Sequence, residues 1–161
     1  MIYVITTQSG KELDTAVLLR KTGYDAYVPR AVRRYRRGTE HYFIASVMFN
    51  CYVFVELPHE LTGDDYYKIT GLKTVGRFLS RTCCLSETET EYIRLLCNNG
   101  NPIGVSRGYI KNGTLRVTEG WLKRLENKIT HFSVRQHKAT AEVTVYGQKH
   151  KITCSIDIEK A

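Results

Sequence analysis

The chain has 161 residues, 42% hydrophobic and 25% charged, which suits one ordinary soluble domain or two small ones. No apolar run approaches the roughly 20 residues of a membrane span. The N-terminus, Met1-Ile2-Tyr3-Val4-Ile5, has neither a basic segment ahead of it nor an export-type cleavage site, so neither a membrane nor a secretory role is expected. The net charge of +8 is unevenly spread: residues 1–100 hold 13 Lys/Arg against 11 Asp/Glu, and residues 101–161 hold 11 against 5. A small basic C-terminal segment points to a polyanion, most simply nucleic acid; surplus lysine for solubility is the plain alternative. Five cysteines (51, 83, 84, 97 and 154) form no C-x-x-C pair. Their odd number argues against a secreted disulfide framework, and adjacent Cys83 and Cys84 are poorly placed for one tetrahedral metal. Unpaired, mostly buried thiols in a reducing cytoplasm are expected.

In chain order, Ile2–Thr6 reads as a short apolar strand. Gly10–Arg20 places Leu13, Ala16, Val17 and Arg20 at helical spacing, with Gly23 as the stop. Tyr24–Val28 is a strand ended by Pro29. Arg30-Ala31-Val32-Arg33-Arg34-Tyr35-Arg36-Arg37, followed by Gly38-Thr39-Glu40, predicts a hairpin with a basic arm. Two readings of the arm stand side by side. Arg33, Arg34, Arg36 and Arg37 around Tyr35 contact phosphates while the ring stacks on an unpaired base, or the charges keep a solvated edge strand from pairing.

Tyr42–Phe49 alternates and leads into Phe49-Asn50-Cys51-Tyr52-Val53-Phe54-Val55-Glu56, an apolar run stopped by Pro58 that reads as the central strand of a sheet. Tyr52 and Phe54 share a face about 7 Å apart; they are either core or a surface for a partner. Glu60–Thr70 is a helix weakened by Gly63 and stopped by Gly71, and Val75–Leu79 is a strand that places Phe78 near an exposed aromatic surface. Ser86-Glu87-Thr88-Glu89 is a capping box. The helix it opens presents Tyr92, Ile93, Leu96 and Cys97, and Asn98-Asn99-Gly100 ends it. The predicted class is α+β, with residues 1–100 forming helices on a mainly antiparallel sheet.

Asn101–Asn112 contains Pro102, Gly104 and Gly108 without clear periodicity and is read as a linker. From 113 to 161 only short strands follow: Thr114–Thr118, Lys128–Arg135, Thr140–Tyr146 and His150–Ile156, with turns at Glu119-Gly120 and Gly147-Gln148. This rhythm suits a small five-stranded barrel, whose closure removes exposed edges.

These residues resemble the NusG family of transcription elongation factors over nearly the whole chain. The family's opening Tyr-Val strand and Gly-x-Glu helix are matched by Tyr3-Val4 and Gly10-Lys11-Glu12, its Tyr-x-Pro element by Tyr27-Val28-Pro29, and its Phe-Pro-Gly-Tyr-Val-Phe-Val strand by Phe49–Val55. Leu115-Arg116-Val117-Thr118-Glu119-Gly120 is similar to the KOW motif of the family's C-terminal domain. The resemblance implies an NGN-like polymerase-binding domain at 1–100, a linker at 101–112 and an SH3-like KOW barrel at 113–161. It implies further that Phe49, Tyr52, Phe54 and Phe78 form a hydrophobic patch docking on the clamp helices of the largest subunit of RNA polymerase. His59 and Thr62 lie where a specialised relative uses polar residues against the opposite pincer. Asn50-Cys51 in place of Pro-Gly, Trp121 in place of Pro and Asn127 in place of Gly make the chain most similar to the LoaP group, antiterminators recruited through an RNA hairpin in a leader transcript.

RNA recognition then falls to phosphate contacts and stacking on unpaired bases. The candidates are Arg107 and Lys111 of the linker and, in the barrel, Arg116, Lys123, Arg124, Arg135, His137, Lys138, Lys149, His150 and Lys151. Trp121 beside Lys123 and Arg124 is either a stacking plane or a plug for the barrel end. Whether the arginine hairpin touches non-template DNA stays open. The chain is expected to act as a cytoplasmic monomer. It has no Gly-rich phosphate loop, G-x-S-x-G elbow or H-E-x-x-H helix, so neither catalysis nor a cofactor is expected. The rivals are a general NusG-like factor without RNA specificity and a ribosomal-type RNA binder with a KOW barrel.

Overall fold

A computed structural model describes residues 1–159. Contacts divide the chain into two units, Met1–Pro29 with Phe49–Gly100, and Arg30–Met48 with Asn101–Ala161. The first unit has a four-stranded antiparallel sheet. Its strands are Ile2–Thr7 (β1), Asp25–Tyr27 (β2), Tyr52–Glu56 (β5) and Val75–Phe78 (β6), in the order β2-β5-β1-β6. The intervening Arg30–Arg37 (β3) and Glu40–Val47 (β4) belong to the second unit. β5 is an interior strand, as the sequence predicts, and Val53, Phe54 and Val55 are all buried, so both of its faces are covered. Three helices complete this unit: Glu12–Lys21 (α1), Gly63–Thr70 (α2) and Glu87–Cys97 (α3).

α1 and α2 pack on one face, where Leu19 and Ile69 join Tyr3, Ile5, Val53, Val55 and Phe78 in a single cluster. Burying an aliphatic side chain of that size is worth about 1.5–3 kcal/mol. The inward face of α1 differs from the helical spacing read above. It is built from Glu12, Thr15, Ala16 and Leu19, while Leu13 and Val17 are exposed. Thr15 is taken inward because its hydroxyl bonds to Lys11 carbonyl and to Thr74 Oγ1. α2 begins later than expected, at Gly63, because Thr62 caps it by accepting from the Asp65 amide. Both halves of the capping box at Ser86 and Glu89 are made.

The second unit has a five-stranded sheet with the order β8-β7-β11-β10-β9. Its strands are Ser106–Lys111 (β7), Thr114–Glu119 (β8), Ile129–Ser133 (β9), Lys138–Val145 (β10) and Gln148–Glu159 (β11). The stretch read as a linker is therefore half strand: β7 pairs antiparallel with β8 and parallel with β11. Its Gly108 is what hid it, and is also what allows it. A Cβ there would stand 2.4 Å from the Arg116 carbonyl oxygen. A second correction concerns the stretch between the Glu119-Gly120 turn and the strand expected from Lys128: Trp121–Lys128 is a 3-10 helix that buries Leu122 and Leu125.

The β3–β4 hairpin forms as predicted, but its contacts lie with the second unit. Ala31 makes a parallel bridge to Ile103. Val32 N–H donates to the Ile103 carbonyl at 2.7 Å, and Ile103 N–H to the Arg30 carbonyl at 2.8 Å. The Ser155 hydroxyl donates to the Val32 carbonyl at 2.8 Å. Counted by these units the charge separates sharply: 16 Lys/Arg against 6 Asp/Glu in the second, and 8 against 10 in the first.

Candidate functional site

Of the residues expected to face polymerase, three rings are inside. Phe78 is 5% exposed, edge-on to Tyr3 and stacked on Tyr66 within the core cluster. Phe49 and Phe54 are 3% and 0% exposed and meet edge to face at 5.3 Å. The expected ring-studded surface is thus corrected: Phe54 lies on the interior strand β5, Phe49 packs on it from the turn before, and Phe78, on the edge strand β6, turns into the core under α1 and α2. Tyr52 is half-buried, and His59 and Thr62 are exposed. His59 lies 3.9 Å from Asp65, the carboxylate that also accepts from Tyr24 Oη and from the Thr62 hydroxyl. The bond from Tyr24, ahead of those from Thr62, holds the Asp65 pKa below the usual carboxylate range.

The Gly10-Lys11-Glu12 motif has a structural use. Buried Glu12 accepts from the Cys51 amide at 2.8 Å and from the Gly10 amide at 3.3 Å, tying the helix start to the turn before β5. Cys51 sits there at φ 68, the left-handed region, where a non-glycine side chain costs about 1–2 kcal/mol. Replacing Cys51 with Gly should therefore raise stability by about 0.5–1 kcal/mol. A denaturation midpoint that falls instead would show that the thiol's packing outweighs the strain.

In the second unit, Arg107, Lys111, Arg116, Lys123, Arg124, Arg135, Lys149 and Lys151 are exposed, as a phosphate-contacting set must be. Several are engaged: Arg107 with Glu119 at 3.4 Å, Arg116 with Glu126 at 3.5 Å, and Lys149 with Glu142 at 3.9 Å. Among the described residues Lys111, Lys123, Arg124, Arg135 and Lys151 form no ion pair. Trp121 is half-buried, with the Arg124 guanidinium 5.8 Å from its ring centroid. Lys138, His137 and His150 are half-buried. Burial pushes the His150 pKa down, so it is neutral at pH 7 and a poor anion contact. His137 turns Nδ1 inward, 3.7 Å from Asp157 and without a hydrogen bond.

Asp157 is a residue that sequence reasoning passed over. It stands near His137 and 3.9 Å from Arg34 of the hairpin, whose Nε donates to His41 Nδ1 at 3.2 Å. Desolvation, then Arg34, Arg36 and His137, push the His41 pKa down, which keeps it neutral and able to accept that bond. Burial likewise pushes the Cys97 and Cys154 thiols up to about 12, so neither acts as a nucleophile.

The family profile described as transcription termination factor nusG matches residues 2–94, more than half of the chain. The chain belongs to the NusG family. No curated protein matches it. Among solved structures it is similar to one titled as the MjSpt4:Spt5 complex, conformation A, at 14% identity and a TM-score of 0.35, over 99% of this chain and 100% of that one. The NusG match covers most of the first unit together with the arginine hairpin and stops within α3.

Proposed function

We propose that this NusG-family chain is a processive antitermination factor. The first unit binds RNA polymerase, and the second holds a structured leader RNA through its basic residues. The supporting observation is the family match joined to the charge division, a near-neutral, slightly acidic first unit and a second with 16 Lys/Arg against 6 Asp/Glu. In this reading the polymerase contact runs through Tyr52, His59 and Thr62, while Phe49, Phe54 and Phe78 support that surface from beneath. RNA phosphates meet Lys111, Lys123, Arg124, Arg135 and Lys151, and Trp121 with Arg124 offers a ring and a cation side by side. The KOW character of the second unit and the LoaP-like specialisation belong to this proposal.

The test is readthrough of an intrinsic terminator by purified bacterial RNA polymerase, with and without a stem-loop leader RNA upstream. Readthrough should rise with the chain present and drop with Tyr52→Ala. For the RNA contact, Lys123→Gln with Arg124→Gln should weaken stem-loop binding and reduce the slope of log affinity against log salt by about 1.4–1.8, two lost phosphate contacts at about 0.7 each in the loop or about 0.9 each in the stem. An unchanged slope removes both from the interface. Readthrough that is indifferent to the stem-loop would favour a general elongation factor.

A further inference from the structure

The β3–β4 hairpin carries chemistry that the proposed function leaves unused. β3 has five arginines in eight residues, and the only carboxylate on β4 is Glu40. Directly opposed residues share a face, so the register puts Arg33 with Ile44, Tyr35 with Tyr42, and Arg37 with Glu40 on one side. The Tyr35 and Tyr42 rings stack, 5.8 Å apart and 21° from parallel, and both are exposed. Ile44, 47% exposed, extends this apolar surface, while Phe43 pairs with Arg34 on the opposite face. Arg33 and Arg37 stand two residues to either side of Tyr35, about 7 Å away along the strand. Arg37 forms no ion pair among the described residues, and Arg36 Nε donates to the Gly38 carbonyl at the turn.

An exposed apolar patch of this kind marks an interaction site. The arginines select a polyanion. A duplex would satisfy the guanidinium groups yet leave the rings with no base to stack on, because its bases are already stacked. An apolar protein groove would take the rings and leave the arginines unmatched. An unpaired strand satisfies both, with bases on the rings and phosphates on the cations.

We propose that the β3–β4 hairpin binds an unpaired polynucleotide strand, its bases stacking on the Tyr35–Tyr42 pair and its phosphates held by Arg33 and Arg37. This contact is separate from the structured-RNA surface around Lys123 and Arg124, and the two fail independently.

The experiment uses the full chain with labelled oligothymidylate and oligouridylate of about ten nucleotides, and a duplex of the same length, followed by fluorescence anisotropy. The variant Tyr35→Leu with Tyr42→Leu keeps apolar bulk on the hairpin and removes the rings. It should bind either single strand about tenfold more weakly, or worse. Lys123→Gln with Arg124→Gln should lose stem-loop RNA and keep the single strand. Tighter binding of oligothymidylate assigns the strand to DNA, and tighter binding of oligouridylate assigns it to the transcript. Binding of the single strand within about twofold of the parent, by a double-leucine variant whose denaturation midpoint is intact, overturns the proposal. So does equal affinity for the duplex. Loss of polymerase binding by that variant with oligonucleotide binding intact overturns it too, and makes the hairpin a protein contact.

Discussion

Gly120→Ala is expected to destabilise the second unit by about 3–5 kcal/mol. Gly120 sits at φ 94 and ψ −175, a backbone region essentially closed to side chains, where strain alone costs about 1–3 kcal/mol. An added Cβ would also stand 2.7 Å from the Ser106 Cα and from its Oγ, and 2.9 Å from its Cβ. Ser106 is fully buried, and its hydroxyl accepts from the Leu122 amide at 3.1 Å. Making room for the methyl group therefore breaks a buried hydrogen bond, a further loss of about 1–3 kcal/mol. It also loosens the start of the 3-10 helix that buries Leu122 and Leu125. Trp121 is the only tryptophan and lies in this unit, so its fluorescence in a urea titration reports the loss directly. Gly113→Ala is the control. Its φ is also positive, at 75, but nothing lies within 4 Å of the added atom, and about 1 kcal/mol should be lost. Equal midpoint shifts for the two variants would show that the approach to Ser106 is not what demands glycine.

The second large effect separates core from interface in the first unit. Phe54→Ala should cost about 3–5 kcal/mol, because it removes a wholly buried ring packed on Phe49 and opposed across the sheet by Val4 and Tyr27. All three α-helices among the described residues lie in this unit, so helical far-UV circular dichroism follows its unfolding. Tyr52→Ala, at a half-buried position two residues earlier, should cost about 1 kcal/mol and leave the helical signal intact. A defect in polymerase binding is interpretable only in the Tyr52 variant, since the Phe54 variant loses its fold first. Were Phe54→Ala to keep its midpoint and lose polymerase binding, the ring would be a contact residue after all.

Much of the local structure followed from chain chemistry alone. β1, the arginine hairpin, the interior strand, the capping box at Ser86 and the Glu119-Gly120 turn all rest on spacing, β-branched runs and side-chain hydrogen bonds within a few residues. One local signal was missed. Asn112-Gly113, with both residues at positive φ, forms the two-residue turn that joins β7 to β8, and Asn-Gly between extended runs is the strongest short-range mark of a hairpin. Reading 101–112 as a linker hid it.

What the amino-acid order determined by itself is the inventory: which segments extend, which coil, where they stop, and that the cations outnumber the anions. Only the tertiary structure decided which side of each segment is wet. A period-two pattern says that Tyr52 and Phe54 share a face, not whether that face is solvated; the ring of Phe54 is enclosed and Leu13 is not. The same holds for allegiance. Residues 30–48 are next to the first unit in sequence, yet bonds from Ile103 and Ser155, distant in the chain, place them with the second and gather the positive charge there. Burial and pairing depend on what arrives from far along the chain, and no local window contains that information.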